Sequence, residues 1–174
     1  MTRLAIVLFA AMCWTSAIAA PIPSTGTVEA FFSPRGGATD AIVREIGSAH
    51  QEILVQAYSF TSKPIAKALI EARKRGVKIE AVLDKSNATA KYSAATFLLN
   101  VGVPVLIDAE HAIAHNKIMI IDRSTLITGS FNFTSAAENK HAENLLIIKG
   151  NKPLVDRYIR NFEEHKAHSN PYSR

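Results

Sequence analysis

His115 and Lys117 stand two residues apart at the head of an apolar run, Ile118-Met119-Ile120-Ile121, in a chain of 174 residues. The run has the β-branched content of a buried strand. Side chains two apart on a strand share a face, so an imidazole and an ammonium are set together at the mouth of a buried element. By the same parity His115, Lys117, Met119 and Ile121 fall on one face, and Asn116, Ile118, Ile120 and Asp122 on the other. After six further residues Gly129-Ser130-Phe131-Asn132 repeats the arrangement, with Ser130 and Asn132 again two apart. If the two segments pair as a hairpin, four polar groups converge at one end of a sheet. Such a set suits a phosphoryl group. The histidine can serve as nucleophile or proton donor, the lysine as fixed positive charge, and Ser130 and Asn132 as hydrogen-bond donors. Gly129 would let an anion approach the backbone. Phosphoryl transfer depends on such positioning and charge stabilisation. The competing reading of His115 and Lys117 is a satisfied core histidine beside a lysine with a buried stem, and the Gly-Ser-x-Asn sequel weighs against it.

The elements that would hold these groups alternate along the chain. Strands are expected near 27–32, 53–60, 77–83, 103–107, 117–122, 126–128 and 144–148. Helices are expected from a cap at Thr39 or Asp40 through residue 50, from Ser62 with Pro64 in the first turn, over 91–100, and over 153–166. The basic run Arg73-Lys74-Arg75 before Gly76 reads as a complement to a helix dipole followed by a helix stop. This alternation implies an α/β fold: one domain with a mixed, mostly parallel sheet flanked by helices on both faces. The short connection at Arg123-Ser124 calls for one antiparallel pair.

Residues 1–19 read as a secretory signal peptide, with a basic start, an apolar run and the small-x-small sequence Ala17-Ile18-Ala19. That leaves 20–174 as a single catalytic-sized domain, exported and, in the simplest reading, periplasmic. The only cysteine, Cys13, departs with the signal, so no disulfide can form in the remainder. The formal net charge of +5 favours anionic partners such as nucleic acid or acidic lipid.

The spacing His115-x-Lys117-(x)4-Asp122-(x)6-Gly129-Ser130-x-Asn132 matches the HKD signature of the phospholipase D superfamily. The segment "AYSFTSKPIAKALIEARKRGVKIEAVLD" (57–84) also resembles what precedes that signature in small members, and the likeness runs from about residue 28 to 162. It is nearest in kind to the small secreted bacterial endonuclease with a single motif. The resemblance implies two-step hydrolysis of a phosphodiester without metal or other cofactor. One histidine attacks phosphorus and a second protonates the leaving oxygen. It makes His115, Lys117, Asp122 and Glu143 the catalytic set, with Lys117, Ser130 and Asn132 holding phosphate. Glu143 resembles the acidic residue that orients the histidine ring. Asp122, on the other strand face by parity, reads rather as a turn anchor. None of His50, His111, His141, His165 and His168 begins a second H-x-K. The second histidine is therefore expected from a homodimer whose two His115 side chains face each other across a two-fold axis.

For the substrate, nucleic acid is the expectation, DNA before RNA, with low sequence specificity. Residues 20–174 contain no tryptophan and no apolar segment suited to a lipid interface, so no stable membrane association is expected. Lys85, Lys91, Lys140 and Lys152 lie in or beside loops and can line an anionic groove. A lipid hydrolase and a non-catalytic nucleic-acid-binding protein are the alternatives. His111 and His115 have the i,i+4 spacing of helical metal ligands, but the segment reads as loop into strand, so no metal is expected there.

Overall fold

In the computed structural model the described residues are 20–90 and 93–173; the expected signal segment 1–19 and Lys91 lie outside them. The chain opens with β1 (Thr27–Ser33), α1 (Ala38–Gly47), β2 (Glu52–Ala57) and α2 (Lys63–Lys74). It continues through β3 (Lys78–Asp84), the short α3 (Ser86–Thr89), α4 (Ala94–Asn100) and β4 (Val105–Asp108). The second half comprises β5 (Lys117–Ile121), β6 (Thr125–Gly129), α5 (Ser135–Asn139), β7 (Glu143–Lys149), α6 (Lys152–His168) and β8 (Asn170–Pro171). All eight strands form one sheet in the order β1-β7-β6-β5-β2-β3-β4-β8.

The α/β class and the mixed sheet agree with the sequence reading, but the balance within the sheet does not. Among the eight described strands only β2–β3 and β3–β4 pair in parallel, and the other strand pairs are antiparallel. Strand–helix–strand alternation builds a parallel ladder only from β2 to β4. Beyond it, three residues join β5 to β6, and a connection with a single five-residue helix joins β6 to β7. Tight returns of this kind give antiparallel neighbours.

The strand parity read from residues 115–122 divides two cores. Met119 and Ile121 pack with Ile42 and Ile46 of α1, Ile65 and Leu69 of α2 and Leu98 of α4. Ile118 and Ile120 pack on the opposite face with Val155, Ile159 and Phe162 of α6. Burying each large apolar side chain contributes roughly 1.5–3 kcal/mol, so the sheet is held from both faces.

Several helix ends differ from expectation. α1 begins at Ala38 after Gly37 in the left-handed conformation, and neither Thr39 nor Asp40 caps it. Its free amides are satisfied instead from α5, where the Glu138 carboxylate accepts from Gly37 N at 3.1 Å and Thr39 N at 2.8 Å. The basic run that ends α2 does more than face its own dipole. Arg73 Nε donates to the Val101 carbonyl at 2.9 Å, and an Arg75 guanidinium nitrogen donates to the Ile46 carbonyl at 2.9 Å. Both arginines thereby close the carbonyl ends of neighbouring helices.

Between β5 and β6, Asp122 and Arg123 have φ of 50° and 51°, and Ser124 N donates to Ile121 O at 3.1 Å. Two successive left-handed residues, neither of them glycine, thus open the three-residue connection and turn the chain back on itself. The Asp122 carboxylate holds it by accepting from the amides of His50 (2.9 Å), Gln51 (2.8 Å) and Glu52 (3.0 Å).

Candidate active site

One end of the sheet gathers the start of β5, the end of β6, the start of β7 and the end of β2. Strand pairing sets Lys117 against Ala57 and Ile118 against Thr128. A cavity of about 500 Å³ opens there, lined by His115, Lys117 and Gly129 together with Arg157, Tyr158 and Asn161 of α6.

His115 is exposed and its ring packs on Tyr58, with centroids 4.6 Å apart and the rings tilted by 52°. The loop that delivers it is pinned one residue earlier, where Ala114 N donates to Asp84 Oδ2 at 2.8 Å. Asp84 also accepts from the amide and hydroxyl of Ser86. Burial pushes the Asp84 carboxyl upward, but these three bonds outweigh it and hold the group below the usual carboxylate range.

Lys117 is only 6 % exposed. Its Nζ donates to the His115 carbonyl at 2.8 Å and lies 5.0 Å from the Tyr58 ring centroid. Burial lowers its pKa, and the nearby Glu143 carboxylate partly counters that. Glu143 is half-buried and approaches His141 Nδ1 at 3.7 Å. The expected carboxylate contact with the His115 ring is not among the hydrogen bonds of the described residues. Tyr58 packs that ring instead, while Glu143 faces the ammonium.

Ser130 and Asn132 follow β6 at the same end of the sheet but do not line the cavity. The Ser130 hydroxyl accepts from Asn144 N at 3.0 Å, and Ser130 N donates to Asn144 O at 3.1 Å, so the serine locks β6 to β7. Asn132 sits between the fully buried Phe131 and Phe133, and its buried Oδ1 has no hydrogen-bond partner among the described residues. Gly129 has a different reason to be glycine than the anion approach expected of it. With φ of 148°, a Cβ there would collide with the Asn144 carbonyl of the adjoining strand.

Asp122 belongs to the opposite end of β5, about 20 Å from His115 at strand rise, and its place in the motif is structural. Nor do the loop lysines form the expected groove. Lys85 donates to the His111 carbonyl at 3.1 Å, Lys152 pairs with Asp156 at 2.6 Å, and Lys140 follows α5. None of these three lines the cavity, where the second cation is Arg157. Sequence reasoning missed Arg157, Tyr58 and Asp84. Tyr58 and Asp84 stood at the two ends of the segment quoted above, but Arg157 had no motif to mark it.

The arrangement can carry a nucleophilic imidazole beside one buried cation and a cavity large enough for a phosphodiester; Arg157 lines that cavity, and its guanidinium donates to the Ala20 carbonyl at 3.2 Å. A profile described as "Cardiolipin synthase, PLD-like domain" matches residues 42–166. The chain is 42% identical to a phospholipase D of Rickettsia prowazekii over 147 residues, 84% of this chain and 71% of that protein. Among solved structures it is similar to Nuc of Salmonella typhimurium, a phospholipase D family member. The match has a TM-score of 0.82 and 36% identity over 86% of this chain and all of that one. It also shares the fold of NucT of Helicobacter pylori, with a TM-score of 0.79 and 22% identity over 85% of this chain and all of that one.

Proposed function

The chain belongs to the phospholipase D superfamily, and on that footing we propose that it is a metal-independent phosphodiester hydrolase, an endonuclease of low sequence specificity acting as a homodimer. The observation that carries the reading is the joining of His115 and the buried Lys117 ammonium at the mouth of one cavity.

In the proposed first step a ring nitrogen of His115 attacks phosphorus. The N–P bond forms as the bond to the leaving oxygen breaks, and the partner subunit's His115 gives that oxygen its proton. Water then attacks the phosphohistidine, loses its proton to the same partner imidazole, and releases the phosphate with His115 free. Covalent catalysis divides one difficult displacement into two easier ones. An imidazole titrating near neutrality can act as acid and then as base. Lys117 meets the charge on the non-bridging oxygens. The single H-x-K motif and the exposure of His115 support the shared site. So do Ile113, 57 % exposed two residues before His115, and Phe32, 68 % exposed in register with Asn144, which offer apolar area for a second subunit.

Nucleic acid is favoured by the basic balance of the chain and by Arg157 in the cavity. No helix among the described residues is long and apolar enough to cross a membrane. With residues 1–19 removed, the enzyme would act in the periplasm. A second reading, phospholipid hydrolysis, is favoured by the name of the Rickettsia relative. One comparison separates them: mature protein in excess chelator, offered plasmid DNA, RNA and phospholipid vesicles in parallel. The proposal expects nicking and degradation of nucleic acid with little lipid turnover. Lipid turnover alone would install the second reading, and no turnover of any substrate would point to a binding protein.

A further inference from the structure

Three histidines outside the cavity surround one carboxylate. Asp108 ends β4 with no exposed surface. His111 lies in the loop that follows, and His165 and His168 occupy the last turn of α6, three residues apart and so on one face. His165 Nδ1 is 2.7 Å from Asp108 Oδ2, His111 Nδ1 is 3.0 Å from it, and His168 Nε2 is 3.3 Å from it. The rings lie 4.7 to 5.3 Å apart between centroids. One ligand atom from each of the four residues can be chosen so that all lie within 4.8 Å of one another.

Hydrogen bonding alone accounts poorly for this convergence. A carboxylate has about four acceptor positions, two on each oxygen. Oδ1 takes the amides of Glu110 (3.2 Å) and His111 (3.4 Å), and the rings of His165 and His168 approach Oδ2 while that of His111 straddles both oxygens, so five donors share about four positions. Those amides orient the carboxylate from behind, as the supporting groups of metal sites do. A tetrahedral zinc with bonds of about 2.0–2.1 Å separates its ligand atoms by roughly 3.3 Å. Shifts on the order of 1 Å or less in four side chains would reach that arrangement.

We infer that Asp108, His111, His165 and His168 form a structural zinc site, separate from the catalytic cavity. Four protein ligands leave no open position, which is the character of a structural rather than a catalytic zinc. None of the four lines the cavity at His115. The metal would tie the end of β4 to the end of α6, immediately before β8, which pairs with Leu106 and Ile107 at the sheet edge. With no cysteine in 20–173, a disulfide cannot make that tie. The spacing His165-x-x-His168 was visible in the sequence, but Asp108 is 57 residues away and only the fold joins them.

Untagged mature protein, stripped with chelator, would be titrated with zinc by calorimetry and with cobalt by visible spectroscopy. The site predicts one zinc per chain, the absorption bands of tetrahedral cobalt, and a rise in Tm of roughly 5–10 °C at saturating zinc. The milder variant His168→Gln, and the double variant His165→Gln/His168→Gln, should weaken or abolish all three while His115→Asn leaves them intact. Substoichiometric zinc without a shift in Tm would overturn the inference. So would binding that persists in the double variant, or binding that disappears in His115→Asn.

Discussion

Lys117 reaches back two residues and donates through Nζ to the carbonyl oxygen of His115 at 2.8 Å, so the backbone of the proposed nucleophile holds the neighbouring charge in place. Burial disfavours this ammonium and lowers its pKa, and Glu143 only partly restores it. The group is thus costly to fold and useful to chemistry. Lys117→Met should lower kcat by about 10²–10³-fold, as loss of a charge-stabilising donor does. The same change should raise stability by about 1–2 kcal/mol in urea unfolding, because a buried cation is removed. A variant both inactive and less stable would mean that the lysine is chiefly a packing element.

The same residue sets a pH limit. Because its pKa is depressed, the cation is lost at lower pH than in an ordinary lysine. Activity should therefore fall on the alkaline side earlier than a free lysine would allow. Lys117→Arg, which stays protonated, should keep a weaker activity but move that alkaline fall upward. Rate profiles of the two proteins above neutrality would check it.

Gly129 and Asn144 touch where a side chain would stand. Gly129→Ala must push β7 away from β6 at the end of the sheet that carries Ser130 and Glu143. A loss of about 2–3 kcal/mol in stability is expected, with activity falling as the site loosens. Calorimetric unfolding and turnover, measured together, would show both losses.

Asp122 should prove a fold residue. Burial raises its pKa, but the three backbone amides it accepts outweigh burial, leaving the carboxyl below its usual range. A depressed carboxyl contributes stability above its unfolded pKa, about 3.9, and that contribution is lost as pH falls through the folded value. Asp122→Asn should therefore cost about 1–2 kcal/mol at pH 7, with the difference from wild type shrinking as pH falls below the unfolded carboxyl value. Turnover at neutrality should stay within about twofold, since the residue is a strand's length from His115.

Arg157 tests the choice of substrate. If it binds a nucleic-acid backbone, Arg157→Gln should raise KM several-fold with kcat little changed. It should also reduce the dependence of binding on salt by about one charge. An effect confined to lipid vesicles would favour the second reading.

The site was legible where chemistry lies close in sequence. His115, Lys117 and the strand they open, the parity that splits the two cores, and the hairpin beyond Asp122 all follow from local pattern. What escaped depends on contacts between distant segments. Glu138 caps a helix about a hundred residues before it, which no local capping rule anticipates. Arg157 enters the cavity because α6 crosses one face of the sheet, and the antiparallel excess arises from short returns rather than from strand content. Gly129 was read as a place where an anion could approach the backbone, but the close neighbour is the Asn144 carbonyl of another strand.

The shared site is tested most directly by purified heterodimers of one wild-type chain and one His115→Asn chain, separated by distinct tags under chelating conditions. With the two imidazoles acting in succession on one phosphorus, such heterodimers should have almost no turnover and accumulate no phosphohistidine beyond a trace. Half of wild-type activity or more would mean that each chain works alone, and would contradict the account.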